Sequence, residues 1–172
     1  GDASVSGKNA GTYNMALKPE DFTNNNTNFT NVEFVIVDGA LEITKRQVTL
    51  TSATASKIYD GTALTNDTVT VTGDGFAAGE GASYDVTGSQ TVVGTSDNTF
   101  EYDLNQGTTF SANYDITLKY GTLTVTALTD KVTVTITENS GTELYDGTVK
   151  TVTGYTVAIS NPLYKEADFS FN

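Results

Sequence analysis

The chain of 172 residues contains no cysteine, no histidine and no tryptophan, and it has only two prolines. Without cysteine, neither a disulfide nor a thiol nucleophile can contribute to its structure or chemistry. Without histidine, the side chain that most often acts as a general base near neutral pH is missing. Lysine and arginine number 9 against 21 acidic residues, which gives a formal charge of −12. This shortage of positive charge argues against binding to nucleic acid or to anionic membrane surfaces.

Long hydrophobic runs are also missing. No stretch of about 18 apolar residues could span a bilayer, so we expect no membrane insertion. The first residues do not form the basic and then apolar pattern of a signal segment. For a secreted protein, we therefore expect the signal and any attachment to the cell wall to lie in regions outside this chain.

Threonine is abundant, at roughly a fifth of the residues, and apolar and polar residues alternate in several short segments. A period of two is typical of a strand with one buried and one wet face. The segments with this pattern are Val32–Val37, Val48–Leu50, Val69–Thr72, Leu123–Thr126 and Val132–Ile136. Only Leu17–Phe22 and Pro162–Asp168 suggest short helical turns. The sequence therefore predicts an all-β fold.

The chain repeats itself with a period near 86 residues. Tyr59-Asp60-Gly61-Thr62 returns as Tyr145-Asp146-Gly147-Thr148, a spacing of 86 (145 − 59). Three further landmarks return at similar spacings. They are Thr12-Tyr13 with Thr99-Phe100, Asn28-Phe29 with Asn113-Tyr114, and the segment from Gly39 with that from Gly121. The chain is thus expected to hold two units of a tandem array.

The order of the landmarks places the unit boundaries. All of them occur in order within residues 46–128, which we predict to be one complete β module. Residues 129–172 hold only the early landmark, and residues 1–45 only the late ones. If Asn172 were joined to Gly1, Thr148 would precede Thr12 by 36 residues, against 37 (99 − 62) in the intact unit. We therefore expect the two end segments to be halves of one module type, completed in trans or by the next repeat.

The Tyr-Asp-Gly-Thr motif is interpreted as turn chemistry. Aspartate caps a turn through its side chain, and glycine supplies a positive φ. Tyr59 and Tyr145 would then anchor the strand end in the core. No nucleophile stands beside a base, and the carboxylate pairs Glu80 with Asp85 and Glu166 with Asp168 lie in short modules without room for a cleft. The sequence predicts no catalytic residue, no cofactor-binding residue and no enzyme.

Metal binding has only partial support. Calcium requires six or more oxygen ligands from a tight loop, commonly with a closing glutamate. Gly73-Asp74-Gly75 with Glu80, and Ser96-Asp97-Asn98, match this pattern in part, and Asp130 could join a site between modules. A structural calcium ion is the one cofactor left open, and no residue is assigned as a metal ligand.

Several linked motifs resemble the YDG/MBG-type tandem repeats of large bacterial (Gram-positive) cell-surface adhesins. They are Lys57–Leu64, Val71–Gly75, Val93-Gly94-Thr95, Asn113-Tyr114 and Tyr120–Thr126, and the diverged second copy keeps Tyr145–Thr148. The resemblance implies an extracellular protein of tandem β modules, attached to the cell wall through other regions. It carries over no binding or catalytic residue, because such repeats are defined by structural positions.

These observations predict tandem immunoglobulin-like β-sandwich modules, with β-grasp-like modules as the alternative that Leu17–Phe22 suggests. The expected function is a structural stalk or spacer in a cell-surface adhesin or filament, with neighbouring repeats assembling head-to-tail. The alternative is a module that binds host glycan or mucin through exposed tyrosines. The candidate tyrosines are Tyr84, Tyr102 and Tyr155. Since no Gly/Ser-rich or Pro-rich spacer separates the modules, we also expect restricted bending between them.

Overall fold

The structure, a computed structural model, describes residues 3–171 and is all-β within that range. The strands are β1 (Gly11–Asn14), β2 (Ala40–Ile43), β3 (Arg46–Ser52), β4 (Ala55–Ile58), β5 (Val69–Gly73), β6 (Ala82–Val86), β7 (Gly94–Asn98), β8 (Phe100–Leu104), β9 (Tyr114–Lys119), β10 (Gly121–Thr126), β11 (Val134–Glu138) and β12 (Tyr155–Ile159). Short 3-10 turns occur at Pro19–Asp21, Ser111–Asn113 and Glu166–Asp168. No helix among the described residues has the length and apolar content needed to cross a membrane.

Residues 46–128 contain three of the five sheets. Two are three-stranded, in the orders β5-β3-β9 and β4-β10-β7, and the third is the β6-β8 pair. Strand β3 runs antiparallel to β5 and parallel to β9. Likewise, β10 runs antiparallel to β7 and parallel to β4. The beginning of this region therefore pairs in parallel with its end.

The first two strands of this region, β3 and β4, are separated only by Ala53 and Thr54, where the chain passes from one three-stranded sheet to the other. A buried polar cluster holds this crossing point. Ser52 Oγ donates to the carbonyl of Asn98 at 2.5 Å and accepts the N–H of Gly121 at 3.0 Å. The Asn98 amide in turn donates to the carbonyls of Ala53 and Asn66. Because buried polar groups need partners, this network fixes where the strand changes sheets.

The core lies between the β5-β3-β9 sheet and the β6-β8 pair. Val48 and Leu50 of β3 and Tyr114 of β9 cluster with Phe100 of β8. Val69, Tyr84, Val86, Tyr102 and Ile116 pack around them. The alternation predicted for Val48–Leu50 is confirmed, since every second side chain of β3 is buried. Leu123 and Val125 of β10 are buried in the other three-stranded sheet.

The end segments form separate hairpins. In the N-terminal one, β1 pairs with β2, and in the C-terminal one, β11 pairs with β12. Every buried residue of the described chain lies between Val48 and Val125, so neither end segment has a core of its own. Each end segment contains one pair of stacked aromatic rings, Phe22 with Phe34 in the first and Tyr164 with Phe169 in the second.

Two local predictions have different outcomes. The helical turns form, as 3-10 turns at Pro19–Asp21 and Glu166–Asp168, and the first begins at proline as expected. The strand predicted at Val32–Val37 is wrong, because this segment has no strand structure in the described chain. Alternating side chains favour a strand, but a strand also needs a hydrogen-bonded neighbour, and this segment has none.

Candidate assembly surfaces

The residues considered for catalysis have structural contacts. Glu80 accepts the hydroxyl of Tyr114 at 2.7 Å, and Tyr114 also accepts the N–H of Ala77. Burial raises the pKa of Tyr114 above its ordinary value. Asp168 accepts the N–H of Lys165 within its 3-10 turn. Glu80 therefore accepts a hydrogen bond from a hydroxyl, and Asp168 caps a turn.

The two partial calcium patterns are also engaged internally. Asp74 Oδ2 accepts the N–H of Gln47 at 2.8 Å, and the Asp74 and Gly75 carbonyls accept the Arg46 guanidinium. Asn98, from the second pattern, belongs to the buried cluster at the β3–β4 crossing. No group of three or more acidic, histidine or cysteine side chains that could hold a metal is present within residues 3–171.

The three tyrosines considered as glycan platforms fall into two groups. Tyr84 and Tyr102 are direct partners across β6 and β8 and pack against the core. Burial raises the pKa of Tyr84, as expected for a phenol held away from water. Tyr155, in contrast, is exposed at the start of β12. Two of the three rings therefore pack against the core, on the β6-β8 pair, and the third lies on the separate β11-β12 pair.

The Tyr-Asp-Gly-Thr turn forms twice with the same hydrogen bonds. Asp60 accepts both the N–H and the hydroxyl of Thr62, and Asp146 accepts the same two groups of Thr148. The glycine between them has φ of 81° in the first turn and 80° in the second. The predicted turn chemistry is confirmed, since aspartate caps the turn and glycine takes the left-handed conformation.

Each turn also binds a lysine. Hydrogen bonding to Lys57 is the main cause that lowers the pKa of Asp60, and Lys150 lowers the pKa of Asp146 to about 2. The tyrosines differ, however. Residues 46–128 are called the intact module below, and residues 129–171 the C-terminal segment. Tyr59 is partly buried beside the cleft between the two, whereas Tyr145 is 90% exposed. The expectation that Tyr145 anchors in a core is wrong, because no second sheet among the described residues covers it.

Strands β3 and β5 of the intact module have a register that β11 and β12 repeat at an offset of 86. Leu50 lies opposite Val71, and Ile136 lies opposite Val157. The contact that follows the strands also repeats, since the N–H of Ala53 donates to Thr68 and that of Asn139 to Gly154. The C-terminal hairpin is therefore a structural copy of β3 and β5.

Strands β7 and β10 are repeated in the same way by β1 and β2. Gly94 pairs with Val125, and Gly11 pairs with Ile43. Both glycines have similar backbone angles, with φ of 145° and 150°. Strand β2 corresponds to β10 at an offset of 82, as expected from Gly39 and Gly121. The N-terminal hairpin is therefore a copy of the last antiparallel pair of the intact module.

This register corrects one landmark. Thr12 was expected to correspond to Thr99, but Thr12 faces Glu42 in the position that Thr95 takes opposite Thr124. The spacing from Thr62 within the intact module then becomes 33 (95 − 62) instead of 37, so the close numerical agreement with 36 does not hold. The better landmark was the Gly-Thr dipeptide at Gly11 and Gly94, whose glycines share an unusual backbone angle.

The two end hairpins lack the parallel neighbours of their counterparts. In the intact module, β3 has β9 on one side and β10 has β4. Strand β11 pairs only with β12, and β2 only with β1, among the described residues. Each end hairpin therefore leaves unpaired the strand edge that is paired in its counterpart, namely the outer edge of β11 and that of β2. In a native protein such an edge is normally covered or blunted.

Apolar side chains are exposed along these two edges. Leu50 and Leu123 of the intact module are fully buried, at 0% exposure. Their counterparts, Ile136 and Leu41, are 51% and 36% exposed. Further exposed apolar residues of the end segments are Phe29, Val32, Val35, Val37, Leu144, Tyr145, Val149, Val152 and Phe171. The exposure of Ile136 and Leu41, at positions that are buried in the other copy, indicates a surface that another chain could cover.

The junctions on either side of the intact module differ in length. Only Thr44 and Lys45 separate β2 from β3. Here the Asn113 side chain binds the N–H of Ala10 at 2.9 Å and the side chain of Asn9 at 3.2 Å. Beyond β10, residues 127–133 precede β11, and a cleft of about 290 Å³ separates the intact module from the C-terminal segment. Tyr59, Val93, Leu128, Val132, Leu163 and Tyr164 line much of it.

Comparison with known proteins gives no match, since no family model, curated protein or solved structure is similar to the chain. The resemblance to adhesin repeats therefore depends on the motif residues alone.

Proposed function

We propose that this chain is a structural stalk or spacer repeat of a bacterial cell-surface adhesin or filament, in which successive copies lie head-to-tail. Its modules are small β-sandwiches, and the supporting feature is the packing of the β5-β3-β9 sheet against the β6-β8 pair around Leu50 and Phe100. In this proposal the protein is extracellular, and regions outside this chain attach it to the cell wall.

The observation that carries the proposal is the parallel pairing of the entering and leaving strands. The polypeptide enters the intact module at Arg46 and leaves it at Thr126. Strand β3 is parallel to β9, and β4 is parallel to β10. Tension applied at the two ends pulls parallel neighbours in opposite directions along their length. The interstrand hydrogen bonds are then loaded together and not one after another, which suits a module that bears force.

The short first junction supports the same function. Because only Thr44 and Lys45 separate β2 from β3, the end of one unit leads almost directly into the next. The Asn113 contacts to Asn9 and Ala10 restrain this junction further, as does the ion pair between Lys45 and Asp115 at 3.3 Å. A linker this short and this well bonded limits bending.

Single-molecule force spectroscopy tests this proposal. Since the chain has no cysteine, an introduced pair provides unique attachment points. Attachment through Lys45→Cys and Ala127→Cys loads the parallel pairs along the strands. Attachment through Ser83→Cys and Asp103→Cys pulls directly across the antiparallel β6-β8 pair and separates it stepwise. We expect the first geometry to unfold at a clearly higher force, and equal or reversed forces would reject the proposal.

A further inference from the structure

The unpaired edge of β11 has a defined shape, because β3 shows what occupies the same edge in the intact module. There, β9 runs parallel to β3, with Val48 opposite Ile116 and Leu50 opposite Leu118. The counterparts of Val48 and Leu50 are Val134 and Ile136, at the offset of 86 that the hairpin register establishes. The edge of β11 is therefore suited to a parallel strand that carries apolar residues at alternate positions.

The N-terminal segment contains a sequence with this pattern. Counting back from Gly39, the counterpart of Gly121, places Phe34 at the position of Ile116 and Ile36 at that of Leu118. Phe34 and Ile36 are partly buried while Val35 between them is exposed, so the side chains alternate between two environments. The spacing of 85 suggested by Asn28-Phe29 would instead place Asn31 and Glu33 at the two inward positions, which the apolar pattern disfavours.

The second unpaired edge fits in the same way. In the intact module, Leu123 of β10 lies opposite Ala55 of β4. The corresponding residues are Leu41 of β2 and Gly141, which follows β11 and has no strand partner in the described chain. Two parallel pairings thus become available when the two end segments meet.

We propose that the C-terminal segment of one copy and the N-terminal segment of a second copy complete a module in trans. Residues 134–137 of one copy lie parallel to residues 34–37 of the other, and residues 141–144 lie parallel to residues 41–44. The expected facing residues are Val134 with Phe34, Thr135 with Val35, Ile136 with Ile36, Thr137 with Val37 and Leu41 with Gly141. This inference rests on the proposed function, because the pairing would be the contact between successive head-to-tail copies.

One part of the intact module is not copied. The buried pair Ser52 and Asn98 at the sheet crossing corresponds to Glu138 and Met15. Glu138 is exposed at the end of β11 in the single chain. In the composite module it would take the position of the buried Ser52, so the crossing would have to leave its carboxylate access to water. The composite module therefore keeps the strand pairings and the apolar positions but replaces the polar cluster.

A substitution at Gly39 distinguishes most clearly between the single chain and the composite module. At the equivalent Gly121, an added Cβ would collide with the backbone carbonyls of Ser52 and Ala53, which cannot move aside. At Gly39, an added Cβ meets only the flexible Met15 side chain, with Sδ at 3.2 Å. In the composite module the carbonyls of Glu138 and Asn139 of the second copy would take the place of the obstructing pair. Gly39→Ala should therefore leave the single chain folded and block assembly.

Association is measured first, by analytical ultracentrifugation of the whole chain over a concentration series. We expect the unaltered chain to form open-ended oligomers. For Gly39→Ala we expect an unchanged thermal unfolding midpoint in dilute solution and at least tenfold weaker association. Gly107→Ala, at a glycine with open space around it but a positive φ, serves as a control that strains a loop outside the segments of the contact.

The register is measured by disulfide formation between two single variants, Val35→Cys and Thr135→Cys, mixed under mild oxidation. Partners on neighbouring strands lie about 4.8 Å apart, within the range that a disulfide spans. The Thr49→Cys/Thr117→Cys double variant calibrates the yield, because these residues are partners within one chain. Ser83→Cys mixed with Thr135→Cys is the control pair that should not crosslink.

The outcomes separate the inference from the proposed function. Oligomers with the expected crosslink, weakened by Gly39→Ala, support both. Oligomers that form without this crosslink, or that Gly39→Ala leaves intact, overturn the strand pairing and leave the head-to-tail stalk standing. A chain that remains monomeric at all concentrations overturns the pairing in trans. A Val35→Cys/Thr135→Cys double variant that closes within single molecules would equally overturn it.

Discussion

The pair Leu50 and Ile136 allows the same structural position to be tested with and without its covering sheet. Both residues lie at the centre of one strand of an antiparallel pair, opposite Val71 and Val157 respectively. Leu50 is fully buried, whereas Ile136 is 51% exposed. Truncating either side chain to alanine removes a similar amount of apolar surface from the hairpin. The difference in cost therefore measures the contribution of the missing neighbours.

The magnitudes follow from burial. Leu50→Ala leaves a cavity in a closed core, so we expect the free energy of unfolding to fall by about 2–5 kcal/mol. For a domain of this size, that corresponds to a midpoint lower by roughly 10–30 °C. Ile136 keeps about half of its surface in water, and full burial of such a side chain contributes about 1.5–3 kcal/mol. Ile136→Ala in dilute solution should therefore cost about 1 kcal/mol, confined to the C-terminal hairpin.

Urea denaturation followed by circular dichroism, at concentrations where the chain is monomeric, measures both values. At concentrations where copies associate, Ile136→Ala should also weaken association by at least tenfold, since each 1.4 kcal/mol of lost contact is a factor of ten. If Ile136→Ala costs as much as Leu50→Ala in the dilute monomer, the C-terminal segment has a closed core of its own. In that case the reasoning about split modules is refuted.

Two further predictions concern the polar contacts. Ser52→Ala should lower the unfolding free energy by about 1–3 kcal/mol, because it leaves the buried N–H of Gly121 without its acceptor. Thermal unfolding measures this loss. As a control, Ser56→Ala at an exposed position should change the unfolding free energy by less than about 0.5 kcal/mol. The pKa of Asp146, lowered to about 2 by Lys150, means that its turn contacts stabilise the fold above about pH 4 and are lost as the pH falls through 2. A carboxyl titration by nuclear magnetic resonance should show this pKa rising towards its ordinary value in Lys150→Ala, and a pKa that stays near 2 would contradict the assignment.

Three of the eight strands within residues 46–128, namely β3, β5 and β10, could be predicted because their signal is local. Alternation over Val48–Leu50, Val69–Thr72 and Leu123–Thr126 identified parts of β3, β5 and β10, and each has a partner within reach. Val32–Val37 carries the same alternation and still forms no strand. Side-chain periodicity states which face would be buried, but hydrogen bonding between strands depends on a partner elsewhere in the chain.

The parallel pairings could not be predicted for a related reason. Arg46 pairs with Tyr114 across almost the whole intact module, and nothing in either segment specifies the other. Parallel neighbours also require a long crossover, so no turn motif marks them in the way that Asp60-Gly61 marks a tight turn. The sequence consequently predicted the turns better than the sheets.

The wrong correspondence of Thr12 with Thr99 shows that a short match of common residues does not establish the register of a repeat. In a chain where roughly a fifth of the residues are threonine, a threonine followed by an aromatic residue arises often by chance. The Gly-Thr pairs at Gly11 and Gly94 are more informative, because few residues other than glycine take φ values near 150°. A landmark tied to a backbone requirement therefore gives the more reliable register.

The unpaired edges of the end segments and the proposed load-bearing geometry have a common origin in this topology. When the first strands of a module pair in parallel with its last strands, neither half of the module alone contains these parallel pairs. Accordingly, within the described chain, residues 129–171 leave the edge of β11 unpaired and residues 3–45 leave that of β2 unpaired. The same connection places the entering and leaving chain on neighbouring parallel strands, where tension acts along the hydrogen-bonded ladder. In the proposed function, a module that resists stretching in this way is also one whose halves are complementary. The exposed edges of β11 and β2 then follow from the same parallel pairing that would let an array of such modules bear load.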